Sequence, residues 1–201
     1  MATLTVTGYG EVSVPPDEAK VDLSVRTVAA TPGQALENVA ERARSLVRLL
    51  DELGVPPPKR STSGIWVNDE VEPDAEGRRD GRFQAGERLS VSLPVENVGA
   101  LLDAAVSRAD AYLEGPRFVV APDNPARNAA LHAAGENARA RAEAFAAGLG
   151  LRVGNVAEAS EGGPVYPVVR GFGPMDAGPP IEAGQATVST TVSVTFEVEP
   201  A

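Results

Sequence analysis

The stretch Val188-Ser189-Thr190-Thr191-Val192-Ser193-Val194-Thr195-Phe196-Glu197-Val198 decides the fold class. Val188, Val192, Val194, Phe196 and Val198 alternate with Ser189, Thr191, Ser193, Thr195 and Glu197. A period of two sends apolar side chains to one face of a strand and hydroxyls to the other, so this strand belongs to a sheet with one covered and one wet face. The chain opens the same way, with Leu4, Val6, Val12 and Val14 set against Thr3, Thr5, Thr7, Glu11 and Ser13. Gly8 and Gly10 interrupt that pattern and predict a kink or bulge. Pro15-Pro16-Asp17 turns the chain. Val21, Leu23 and Val25 then resume the alternation opposite Lys20, Asp22, Ser24 and Arg26, so these first two strands are expected to pair as neighbours.

Helical spacing separates the strands. Thr31 as N-cap, Pro32 and Gln34 form a capping box. Leu36, Val39, Ala43, Leu46, Leu50 and Leu53 fall on one face of the helix that follows. Gly54 and Pro56-Pro57-Pro58 stop it. Strands are expected around Thr62–Val71 and Arg82–Val95, joined by the acidic Asp69–Gly81 connection. A shorter helix over Glu96–Ala109 turns Val98, Leu101, Leu102, Ala105 and Val106 inward, and a strand follows near Leu113–Ala121. Asn124-Pro125 opens a third helix reaching Leu149. Alanine dominates this helix, and Phe145 and Leu149 are its only large anchors near the C-terminus. Such a stripe buries little area per residue but permits close approach of a partner surface. After a short strand at Asn155–Ser160, the segment Glu161–Gly184 has 11 Gly or Pro among 24 residues and reads as a long loop. The order β-β-α-β-β-α-β-α-β-β predicts an α+β fold in one domain over 1–201, mainly an antiparallel sheet with helices on one face.

Composition narrows the chemistry. The 201 residues include no cysteine and one histidine, His132, and carry a net charge of −10. Disulfides, thiol catalysis and cysteine or multi-histidine metal sites are excluded. The acidic balance argues against nucleic acid and anionic lipid as partners. No apolar run is long enough to span a membrane. The opening MATLTVTGYG has neither a basic nor an apolar leader region, which places the chain in the cytoplasm as given, or in the periplasm or outside the cell if an export signal has been removed.

No motif specifies a reaction. Gly8-Tyr9-Gly10 runs on into a strand, where a phosphate loop would need a helix N-terminus. His132, with Glu136 at i+4, reads as a solvated helix pair. Asp69, Glu70, Glu72, Asp74 and Glu76 lack the spacing of a calcium loop and read as a solvated hairpin tip. No catalytic residue, metal or cofactor is expected. The candidate contact or ligand residues are Tyr166, Arg170, Phe172, Met175 and Asp176, because scarce large side chains sit there among Pro and Gly. They are expected either to serve a contact surface or cover a small ligand, or to be buried by the loop folding back on itself.

Val6-Thr7-Gly8-Tyr9-Gly10-Glu11-Val12, then Pro16-Asp17-Glu18-Ala19, resemble the start of SIMPL-domain (DUF541) proteins. Pro180-Ile181-Glu182-Ala183-Gly184-Gln185 and the strand after it resemble the family's close, and the likeness covers essentially the whole chain. The resemblance implies an α+β fold, assembly of some members into large rings and a link to oxidative-stress defence. It supplies no catalytic residue. Two roles follow: self-assembly or binding of a protein partner, with a homo-oligomer expected, or a small-ligand or enzyme site under residues 161–184.

Overall fold

A computed structural model describes residues 2–69, 81–162, 168–170 (backbone only) and 183–201. The elements are β1 (Ala2–Val14), β2 (Glu18–Ala29), α1 (Pro32–Glu52), β3 (Arg60–Asp69), β4 (Phe83–Pro94), α2 (Val98–Ala109), β5 (Tyr112–Val119), α3 (Ala126–Gly148), β6 (Leu151–Glu161), β7 (Val168–Arg170) and β8 (Gln185–Pro200). The fold is α+β, as the alternation requires. The chain divides into two compact units, Met1–Asp17 with Val119–Ala201, and Glu18–Phe118.

The second unit runs β2-α1-β3-β4-α2-β5, with its sheet in the order β3-β4-β2-β5. Thr31 caps α1, its hydroxyl accepting the Gln34 N–H at 3.3 Å. The helix then lays Val39, Ala43, Leu46, Leu49 and Leu50 against Val21, Leu23 and Val25 of β2 and Leu89, Val91 and Leu93 of β4. From α2, Val98, Leu101, Ala104 and Ala105 join the same core. Two residues expected inward, Leu36 and Val106, are exposed. The apolar arc actually buried is narrower than the sequence pattern.

The first unit has the sheet order β1-β8-β6, with β7 also paired to β8. Here two expectations give way. The strands β1 and β2 do not pair. Instead β1 zips onto β8 from Ala2↔Val198 to Val14↔Ala186, and β2 pairs with β4. A tight hairpin needs φ > 0 at its turn, and Pro15-Pro16 cannot supply it. Nor is β1 broken at its glycines, since its register runs through Gly8↔Val192 and Gly10↔Thr190 without a shift.

The glycines answer to packing. A Cβ on Gly8 would lie 2.1 Å from the Ala134 carbonyl oxygen, and one on Gly10 2.0 Å from that of Ala130. Opposite them α3 presents Ala126, Ala130, Ala134, Ala138, Ala142 and Ala146, all buried. The alanine stripe therefore packs on the chain's own first strand, and also on β8 through Ala186, Val188, Val194 and Phe196. The Gly α-hydrogens that replace Cβ point at those carbonyl oxygens. Phe145 and Leu149, expected as anchors, are exposed, lying off the buried alanine stripe of α3.

Candidate functional site

Tyr166, Phe172, Met175 and Asp176 lie outside the described residues, as do Glu70, Glu72, Asp74 and Glu76 of the acidic run. Arg170 ends β7, whose backbone pairs Val168↔Thr187, Val169↔Ala186 and Arg170↔Gln185. The expected loop 161–184 thus contains a strand. Two valines in sequence, Val168-Val169, favour extended backbone, and β8 extends past the end of β6 to offer them a partner. His132 is exposed on α3, its Nδ1 3.6 Å from Glu136 Oε2. Among the described residues no group of three or more His, Asp and Glu gathers as a metal site would require.

A polar anchor holds the start of α3. Asp17 Oδ1 accepts the Ala121 N–H and Oδ2 accepts the Asn124 amide, both at 2.7 Å. Asn124 in turn accepts the Ala126 N–H at 2.9 Å, the capping role its sequence position implied. Burial alone would push the Asp17 carboxyl up. The Ala121 and Asn124 hydrogen bonds and the nearby Arg127 outweigh that, and its pKa lies below the ordinary aspartate value. These bonds fix the start of a helix.

The surfaces of the first unit differ along their edges. In β1 the Tyr9 N–H donates to Asn137 Oδ1 of α3 at 3.0 Å, so at that point a side chain takes up the strand's donor. Glu11 accepts the Tyr9 hydroxyl at 2.5 Å, and this bond raises the Tyr9 pKa. At the other end of the sheet order, β6 pairs only with β8 among the described residues, with register shifts at Val153/Val156 and Val156/Glu158. Its side chains from Asn155 to Glu161 are exposed throughout. Val156 is 53% exposed, and on the helix that leads into β6 Phe145 is 54% and Leu149 59% exposed. Composition gave no signal for this edge, because exposure of a strand depends on which strands flank it.

The family model described as SIMPL, a protein of unknown function (DUF541), matches residues 4–196. The chain belongs to the SIMPL family. It is 32% identical to the "26 kDa periplasmic immunogenic protein" of Brucella melitensis biotype 1, over 98% of this chain and 85% of that one. The protein of the same name from Brucella abortus strain S19 matches with the same identity and coverage. The match spans both units, so the glycine-rich first strand and the closing strand β8 sit at the two ends of one SIMPL sequence. Among the described residues of this SIMPL protein, no helix is long and apolar enough to cross a membrane.

Proposed function

We propose that this SIMPL protein works by association, building homo-oligomers through the β6 edge or docking a protein partner there. The observation that carries the reading is that edge: an 11-residue strand at the end of the sheet order, exposed from Asn155 to Glu161. Unpaired strand edges recruit further strands, and natural proteins that avoid this place charge or proline on them. Val156 lies exposed on β6 between its two register shifts, and Phe145 and Leu149 add exposed apolar area on α3. A link to stress defence would run through assembly or a bound partner, since the chain has no cysteine to reduce peroxide.

Light scattering tests this. The expected mass is a multiple of 20.8 kDa. Val156→Lys should bring it down towards a single chain without changing the far-UV circular dichroism. A mass of one chain at every concentration, with no partner needed for solubility, overturns the reading.

A further inference from the structure

The second unit holds a cavity of about 460 Å³ between one flank of α1 and its sheet. That volume lies in the range of small-molecule sites. Its lining is Ala40, Ala43, Arg44, Val47 and Arg48 of α1 with Glu87 of β4. Glu87 alternates with Ala85 and Leu89 of the core, so it is on the side of the sheet that carries α1. Ile65 of the edge strand β3 stands directly opposite Glu87 in register, shares that face and is 58% exposed. One turn before Ala40 on the same flank of α1, Leu36 is 44% exposed. The apolar flank of the helix thus runs on past the area that its own sheet covers.

Charges of both signs stand around this apolar wall. Arg44 and Arg48 are one turn apart on α1, and Glu87 rises from the strand. They line one cavity, yet among the described residues no ion pair joins Glu87 to either arginine. Arg48 donates to the Ser45 hydroxyl at 2.8 Å, and Glu87 accepts the Thr62 hydroxyl at 3.2 Å. Arg60, the next cation along the flank, is committed elsewhere: it donates to the Val47 carbonyl at 3.2 Å and pairs with Asp51 at 2.6 Å. Glu37 and Glu41, the carboxylates of α1 nearest to Arg44 in sequence, do not line the cavity. The space between Glu87 and the two arginines is therefore open to a molecule that carries the complement of both.

We propose that this cavity binds a small zwitterion with an apolar body, of the kind offered by an apolar α-amino acid or a short apolar peptide. Its ammonium meets Glu87, its carboxylate meets Arg44 and Arg48, and its hydrocarbon lies against Ala40, Ala43 and Val47. The charges decide the class. A fatty anion would bring a like charge to Glu87, and a simple amine would bring one to the two arginines. A zwitterion satisfies both ends with charge-assisted hydrogen bonds, and the arginine fork matches a carboxylate in shape. The site belongs to the second unit and does not depend on the β6 edge.

The test is equilibrium dialysis of the full chain against isotope-labelled L-leucine and L-leucyl-L-leucine. At least one should bind once per chain and saturate between about 0.1 and 1 mM, and the tighter of the two identifies the source as free amino acid or peptide. Acetylating the amine of that ligand, or amidating its carboxylate, should each weaken binding about tenfold. Glu87→Gln should weaken the unmodified ligand by a similar factor and leave the acetylated one unaffected. Arg44→Gln with Arg48→Gln should do the same for the unmodified ligand and its amide. Such matched losses would not arise if these residues only supported the fold. Ala40→Leu, which fills the cavity from a helix position, should abolish binding with far-UV circular dichroism unchanged. No binding of either ligand at about 10 mM overturns the proposal, as does binding that acetylation and amidation leave unchanged. Octanoate binding as tightly as leucyl-leucine would make this a site for apolar anions and overturn it too.

Discussion

In the second unit α1 meets its sheet through Val39, Leu46, Leu49 and Leu50, with side chains filling the space between helix and strands. In the first, α3 contributes only alanines, which pack on Val6, Val188, Val194 and Phe196 of the strands, and at Gly8 and Gly10 its carbonyls almost touch strand backbone. Both helices are long, and both cover one face of an antiparallel sheet. The first kind of packing draws stability from large buried side chains and fails when one is removed. The second draws it from close fit and fails when anything is added. Gain and loss of volume should therefore damage the two units in opposite order.

The largest effect is expected from Gly10→Val. Its new side chain would meet the Ala130 carbonyl, which belongs to helix backbone and cannot rotate away. The first unit should lose more than about 4 kcal/mol, seen as early loss of far-UV signal in urea while Trp66 emission, which reports the second unit, changes later. Retention of a wild-type urea midpoint would show that the helix can lift off β1. Next is Leu46→Ala in the fully buried stripe of α1. It should destabilise the second unit by about 3 kcal/mol, read from the Trp66 transition. The converse change in the first unit, Ala138→Leu, should cost about 2 kcal/mol by overpacking. If Leu46→Ala were mild and Ala138→Leu neutral, the contrast between the two packings would be wrong.

Asp17→Ala should cost about 1 kcal/mol through the lost Ala121 and Asn124 hydrogen bonds. The sign with pH follows from the lowered pKa. The carboxylate stabilises the fold above the ordinary aspartate pKa, and that contribution is lost as pH falls through the folded value. An acid titration of stability should show the wild type and Asp17→Ala converging at low pH. The smallest effect, and the only gain, is Gly135→Ala on α3. A Cβ there meets nothing within 4 Å. Removing a helix glycine should stabilise by about 0.5–1 kcal/mol, measured as a raised urea midpoint. Glycines two strand residues apart in β1 and one on α3 thus have opposite tolerances within one unit.

Particular residues show how much was legible. The alternation of Val188–Val198, the Thr31 cap and the Asn124 cap were all readable, because each depends on neighbours in sequence. The fates of Gly8, Gly10, Phe145 and Leu149 were not, because each depends on how closely α3 sits on β1. Of the candidate contact residues, Arg170 is placed at the end of a strand pairing with Gln185, and the other four lie outside the described residues. The cavity shared by Arg44, Arg48 and Glu87 comes from segments far apart in the chain and was invisible until α1 was laid on its sheet.

By itself the sequence determined the element types, the helix caps, the SIMPL resemblance and the absence of thiol chemistry, since periodicity, capping and composition are local or additive properties. Tertiary structure decided that the strands form two sheets, that β1 pairs with β8 across nearly the whole chain length, and that small residues serve a backbone-to-backbone fit. Strand pairing and close approach are non-local. A one-residue slip turns a strand's covered face outward, so which strand lies beside which is settled only when all the faces are buried together.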